Sequence, residues 1–131
     1  MALSAKCILD KIEPDDGIRI SIMSRHTQND GRTPRPELDR MCDEHHPELG
    51  PSPGLIGKWM RREISWQEYV TEYRAQMKAA VPMCMIRRIV SKARRENVTV
   101  LCIDESSKEC HRRLLLEICK EISPSLVIID K

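Results

Sequence analysis

Two cysteines, a histidine and two arginines lie close together in the segment LCIDESSKECHRRLL. A cysteine thiolate can act as a nucleophile or bind a soft metal ion, and histidine can act as a base, an acid or a ligand near neutral pH. We therefore predict that Cys102, Cys110 and His111 are catalytic, and the same three are our candidate metal ligands. Arg112 and Glu105 are predicted to bind a ligand, Arg112 by holding a phosphate or carboxylate.

Two familiar kinds of site do not fit this segment. A phosphatase loop would carry an arginine six positions after Cys102, where the chain has Lys108. A structural zinc site uses pairs of closely spaced ligands, and the sequence contains no Cys-x-x-Cys. The chain has six Cys, four His and seven Met, so a metal ion or haem held by these side chains stays as an alternative.

A second polar segment, SRHTQNDGRTPRP, follows the short β-rich stretch IRISIM. Its Arg25 and His26 are predicted to bind the ligand, Arg25 through a phosphate or carboxylate. This prediction depends on strand direction. If the IRISIM strand runs parallel to the strand VTVLCI, the two polar segments meet at one edge of the sheet, and otherwise they separate.

The N-terminal third of the chain supplies two strands and a long loop. The stretches KCILDKI and IRISIM are separated by EPDDG, whose Asp-Gly favours a tight turn, so we expect a hairpin or two neighbouring strands. Residues 24–54 contain most of the prolines, glycines and histidines. This composition predicts a long loop, with one helical turn around residues 37–45, and a loop of that length is commonly functional.

The rest of the chain alternates between helical and strand patterns. SPGLIGKWMRR, ISWQEYVTEYRAQMKAA and VPMCMIRRIVSKARREN are typical of amphipathic helices, the second with Ser65 and Glu68 in capping-box spacing. VTVLCI and SLVIID then read as buried strands on either side of the helix CHRRLLLEICKEI. Such a crossover places its two strands parallel and, we expect, side by side.

These patterns predict a single α/β domain over residues 1–131, with a small, mostly parallel sheet covered by helices and a C-terminal βαβ unit. In such folds ligands bind at the carboxyl ends of strands beside helix N-termini, where partial positive charge favours anions and thiolates. Cys102 comes near the end of a strand, and Cys110 starts the next helix. The crowded segment therefore has the position of a site.

Composition restricts the class of protein. No apolar stretch approaches the length of a spanning helix, and the N-terminal residues do not have the pattern of a signal peptide, so we expect a cytoplasmic protein without a membrane partner. In that compartment the cysteines are expected to be thiols. We interpret Cys7, Cys84 and Cys119 as small buried side chains.

Net charge leaves a second class of partner open. The formal charge is only +2, but the middle of the chain is rich in arginine and lysine. A basic face of this kind can bind nucleic acid, although no known binding motif accompanies it. We therefore rank nucleic acid below a small anionic ligand as a partner.

Three blocks of the sequence resemble the domain-of-unknown-function 488 (DUF488) family. They are SRHTQNDGRTP, PSPGLIGKWMRREISWQEYVTEY and VTVLCIDESSKECHRRLLLEI, in the family's order. The resemblance places eight residues on the family's signature: Arg25, His26, Gly31, Cys102, Glu105, Cys110, His111 and Arg112. It implies an enzymatic or ligand-binding role for the cysteines and supplies no substrate.

Overall fold

The fold is an α/β structure whose sheet has five parallel strands. The computed structural model describes residues 1–28, 32–104 and 109–130. The strands are β1 (Leu3–Cys7), β2 (Ile18–Ser21), β3 (Glu44–His45), β4 (Val98–Cys102) and β5 (Ile128–Asp130). Their order is β3-β2-β4-β1-β5, and each pairing of neighbours is parallel. The predicted fold class is confirmed.

The described residues form four α-helices between the strands. They are α1 (Pro53–Met60), α2 (Trp66–Met77), α3 (Ala80–Ala93) and α4 (His111–Ile122), with 3-10 turns at Pro14–Asp16, Pro36–Met41 and Pro47–Leu49. The capping box predicted for α2 is present, because Ser65 and Glu68 each accept a hydrogen bond from the other's backbone N–H. The predicted long loop between β2 and α1 contains two of the 3-10 turns and the short strand β3, which sequence patterns had not indicated.

The order of the strands corrects three expectations. β1 and β2 are neither a hairpin nor neighbours, because β4 lies between them and pairs with both. β4 and β5 are parallel but not side by side, because β1 lies between them. β5 is also not fully buried, since Ile129 on this edge strand is 43 % exposed. β4 lies at the centre of the sheet and is buried at every position, and Thr99 is its one polar residue.

The main core lies between one face of the sheet and the helices. Alternate residues of the strands, such as Ala5 and Val100, pack there against Tyr73, Ile86 and Leu115. The cysteines interpreted as small buried side chains are partly as predicted. Cys7 and Cys119 are buried, whereas Cys84 is exposed on α3, because other residues form the buried face of that helix, namely Ile86, Ile89, Val90 and Ala93.

The other face of the sheet carries a buried group of charges. The Lys6 ammonium lies 2.9 Å from Asp16 Oδ1, and the Arg19 guanidinium lies 2.7 Å from Asp16 Oδ2. Thr99 Oγ1 also donates a hydrogen bond to the Asp16 carbonyl oxygen. Asp16 is 1 % exposed, so this carboxylate joins β1, β2 and the turn between them through charge and not through apolar packing.

One glycine in that turn cannot be replaced without strain. Gly17 has φ +63°, and an added Cβ would collide with the Asn97 carbonyl oxygen, which already accepts the Ile18 N–H. We expect Gly17→Ala to lower the free energy of unfolding by about 2–4 kcal/mol. Gly54→Ala is the matched control, since nothing lies within 4 Å of its added Cβ. Urea unfolding curves of the two variants test this, and equal midpoints would contradict it.

Candidate functional site

Three side chains predicted from the sequence meet where β4 ends and α4 begins. Cys102 is the last residue of β4, Cys110 is the N-cap of α4, and His111 is the first residue of that helix. Their Sγ and ring nitrogen atoms all lie within 4.8 Å of one another. All three are buried. The parallel sheet and its crossover helix produce this meeting, because the strand delivers one thiol to the edge where the helix starts.

A backbone hydrogen bond fixes the orientation of the His111 ring. Its Nε2 lies 2.7 Å from the carbonyl oxygen of Ile22, which can only accept, so Nε2 carries a proton. In the neutral ring the lone pair is then on Nδ1. That atom lies 3.9 Å from the Sγ atoms of both Cys102 and Cys110. His111 is thereby held with its basic or ligating nitrogen directed at the two sulfurs.

The surroundings favour a thiolate at Cys102. The hydrogen bond with Cys110 and the positive charge of His111 outweigh burial and hold the pKa of Cys102 well below that of an ordinary thiol. Burial alone would lower the pKa of His111, but the negative charge of Cys102 raises it overall. The hydrogen bond with Cys102, together with burial, raises the pKa of Cys110. These shifts favour a thiolate at Cys102, a protonated thiol at Cys110 and a positively charged ring at His111.

An aspartate just beyond β4 adds a further polar group. Asp104 Oδ2 lies 3.6 Å from Cys102 Sγ. Burial, followed by the negative charge of Cys102, raises the pKa of Asp104. Local sequence patterns do not predict this contact, because the distance of Asp104 from the thiol depends on the turn after the strand.

Arg112 lies inside the protein and contacts backbone. It is 2 % exposed, and its Nη1 donates hydrogen bonds to the carbonyl oxygens of Lys6, Cys102 and Asp104. Its Nε has no hydrogen-bond partner among the described residues. Arg112 therefore joins the ends of β1 and β4 and holds the turn that carries Cys102.

A cavity of about 110 Å³ opens beside Cys102 and His111. Its walls are largely apolar, with a few polar groups, an arrangement typical of a small-molecule site. The apolar and aromatic side chains include Met23, Ile56, Trp59, Met60, Tyr69 and Ile103, and the charged ones are Arg25, Asp104 and Glu109. A small molecule in this cavity would reach the Cys102 sulfur.

The aromatic wall belongs to a larger group of rings. Trp59 and Tyr69 have centroids 5.6 Å apart, and Tyr73 lies 5.6 Å from the His111 ring. The amphipathic pattern of α2 predicts only that its apolar face packs on the core. Tyr69 does lie in the core, and the same ring also lines the cavity. Helical period alone does not show which buried rings border a cavity.

Arg25 and His26, the two residues predicted from the second polar segment, have different surroundings. β2 runs parallel to β4, as the convergence of the two segments required, and Arg25 lines the cavity with Cys102. His26 is turned to other partners. Its Nε2 lies 2.9 Å from Ser21 Oγ, its Nδ1 bonds Asp39, and its ring stacks on His45. Glu105 and Gly31 lie outside the residues that the structure describes.

Several basic side chains of the middle segment are paired with acids. Arg74 bridges Glu117 and Glu121, and Lys92 lies 2.8 Å from Glu44. These pairs reduce the positive charge available to a phosphate backbone, and nucleic-acid binding stays a prediction.

Among the described residues, no helix has the length and apolar character needed to cross a bilayer.

Comparison with known proteins identifies one family model. The model, DUF488-N3a, is described as the active DUF488-N3 subclade and matches residues 3–123. The matched range includes β1 to β4, all four helices and the whole cluster of thiols and imidazole. No curated protein and no solved structure gives a significant match.

Proposed function

The chain belongs to the DUF488 family, and from this premise and the geometry of the site we propose that it is an enzyme whose nucleophile is the Cys102 thiolate. One observation carries the proposal. His111 Nδ1 is directed at the Cys102 sulfur while Nε2 is fixed on a backbone carbonyl, which is the arrangement of an activated nucleophile and its oriented base. The description of the matched subclade as active agrees with this role.

The proposed reaction is a nucleophilic displacement at an electrophilic carbon. The Cys102 sulfur forms a bond to that carbon, and the bond from carbon to the leaving group breaks. The leaving group takes the proton from His111 Nδ1. The oxygen of a water molecule then forms a bond to that carbon while His111 Nδ1 takes a proton from the water. The bond from carbon to Cys102 breaks, which releases the second product and restores the thiolate and the protonated ring.

The walls of the cavity indicate the class of substrate. Its volume admits a small molecule, and Trp59 and Tyr69 offer apolar contact. Arg25 offers a guanidinium for a carboxylate or phosphate group. We assign Arg112 to positioning, because its guanidinium contacts backbone carbonyls around Cys102. His26 supports the loop that carries Arg25, through its bonds to Ser21 and Asp39.

An activated ester tests the proposal. With p-nitrophenyl acetate we expect a burst of p-nitrophenolate and an acetyl group on Cys102, detected by peptide mass spectrometry. Cys102→Ser should remove the burst. Cys7→Ser is the matched control, because Cys7 pairs with Cys102 in the sheet but burial raises the pKa of its thiol. Acetylation confined to the exposed Cys84, or none at all, would contradict the proposal.

A bound metal ion is the second candidate, favoured by the closeness of the three ligand atoms. Two thiolates and an imidazole form a known catalytic zinc set, in which the metal ion would act on a bound water or substrate. Elemental analysis of protein grown with added zinc tests this. One zinc per chain, lost in Cys110→Ser, would support a metal centre and displace the free nucleophile. A haem held by the same side chains would give an absorption band when haem is added.

A further inference from the structure

We propose that Cys102 and Cys110 form a reversible disulfide when a small hydroperoxide enters the cavity, with Cys102 as the thiol that the hydroperoxide oxidises and Cys110 as its resolving partner. This inference rests on the nucleophilic role proposed for Cys102 and adds a modification that controls it. It requires two sulfurs close together, unequal access to them and a path for the protons. Each requirement corresponds to a feature of the site.

The two sulfurs lie within reach of one another. Both belong to the cluster whose ligand atoms are no more than 4.8 Å apart, and a disulfide needs about 2.05 Å between sulfurs. Cys110 is the N-cap of α4 and has an extended backbone, φ −139° and ψ 143°. Its side chain is therefore outside the first helical turn, and rotation about its Cα–Cβ bond can bring the sulfur closer without unwinding the helix.

Access to the two thiols is unequal. Cys102 lines the cavity, whereas Cys110 is not among the described residues that line it. A hydroperoxide entering from solvent therefore meets Cys102 first. Cys7 is the competing partner, because it lies opposite Cys102 in the β1–β4 register. Its thiol, however, donates a hydrogen bond to the Ile103 carbonyl oxygen at 3.4 Å.

The first step is a two-electron oxidation of Cys102. Its thiolate attacks one oxygen of the hydroperoxide, a sulfur–oxygen bond forms, and the oxygen–oxygen bond breaks. The departing alkoxide or hydroxide takes the proton from His111 Nδ1 and leaves as an alcohol or water. Cys102 is now a sulfenic acid, the hydroperoxide has been reduced, and the His111 ring is neutral.

The second step joins the two cysteines. His111 Nδ1, 3.9 Å from the Cys110 sulfur, accepts the thiol proton. Cys110 attacks the Cys102 sulfur, the new sulfur–sulfur bond forms, and hydroxide leaves with that proton as water. A dithiol reductant restores both thiols. While the disulfide persists, Cys102 has no free thiolate for the proposed reaction.

Peptide mapping of the oxidised protein tests the inference. Reduced protein is treated with one equivalent of hydrogen peroxide, quenched with an alkylating agent and digested with trypsin, which cleaves after Lys108 and so separates the two cysteines. We expect peptides 96–108 and 109–112 to be joined by a disulfide that dithiothreitol removes. Cys7→Ser should form it as the wild type does, whereas in Cys110→Ser a sulfenic acid at Cys102 should be trapped by dimedone several-fold more than in the wild type.

The outcomes separate this inference from the function it rests on. A Cys7–Cys102 disulfide, or equal dimedone trapping in the wild type and Cys110→Ser, would overturn the role of Cys110. Acetylation of Cys102 by p-nitrophenyl acetate with no disulfide under peroxide would reject the disulfide and leave the nucleophile standing. Loss of both reactions would reject the nucleophile itself. Acetylation that stops on oxidation and returns with dithiothreitol is the result expected if both hold.

Discussion

Replacing His111 with glutamine raises the pH at which Cys102 becomes reactive. The hydrogen bond with Cys110, the largest contribution that lowers the pKa of Cys102, stays in the variant. The positive charge of His111 is lost while burial still raises that pKa, so the pKa of Cys102 moves up toward that of an ordinary thiol. We expect its rate of alkylation by iodoacetamide at pH 7 to fall by up to about 100-fold, because a thiol whose pKa lies about two units above the pH is about 1 % thiolate. Mass spectrometry of the Cys102 peptide over a range of pH gives the midpoint.

The control is a histidine with the same kind of backbone contact. His45 Nε2 lies 2.7 Å from the Met23 carbonyl oxygen, and His45 is not among the described residues that line the cavity. His45→Gln should leave the midpoint of Cys102 unchanged. The exposed Cys84 serves as an internal reference for reagent and pH, and burial raises the pKa of Cys119 to about 12, so that thiol should not compete. An unchanged midpoint in His111→Gln would mean that the imidazole does not activate the thiol.

Replacing Asp16 with asparagine should cause the largest loss of stability. The variant leaves the Lys6 and Arg19 charges buried without a carboxylate, and removing one partner of a buried pair costs about 3–5 kcal/mol. Glu72→Gln is the control, because the pair of Glu72 with Lys58 is on the surface and such pairs contribute at most about 1 kcal/mol. Urea unfolding at pH 7 measures both, and equal losses would contradict the role of burial.

The same carboxylate predicts how stability depends on pH. Burial acts to raise the pKa of Asp16, but hydrogen bonds from Lys6, from backbone and from Arg19 hold it below its usual value. A lowered pKa in the folded state stabilises the protein above the unfolded pKa of about 3.9, and this contribution is lost as pH falls through the folded value. Asp16→Asn should therefore lose less stability than the wild type on acidification below about pH 4. Parallel acid profiles for the two proteins would contradict this.

Local patterns in the sequence were sufficient to predict the four helices, every strand except β3, and the cluster of thiols and imidazole. A β-branched strand ends at Cys102, and the next helix begins just after Cys110. In a parallel sheet this order of elements places both residues at the carboxyl edge. Capping at Ser65 is equally local, because donor and acceptor are three residues apart. In each case the residues that determine the structure lie within one helical turn or one crossover of each other.

Contacts between distant segments were decided only by the tertiary structure. The order of the strands in the sheet could not be predicted from the sequence, because a run of apolar residues does not specify which strand it pairs with. It did not show that Arg112 is buried against three carbonyls, or that His26 contacts Asp39 while Arg25 lines the cavity. Nor did it show the carbonyl of Ile22, which fixes the proton of His111 from 89 residues away. The sequence by itself determined which residues could do chemistry and at which edge of the sheet they lie, whereas the tautomer, the thiolate and the cavity depend on burial and on hydrogen bonds between residues far apart in the chain.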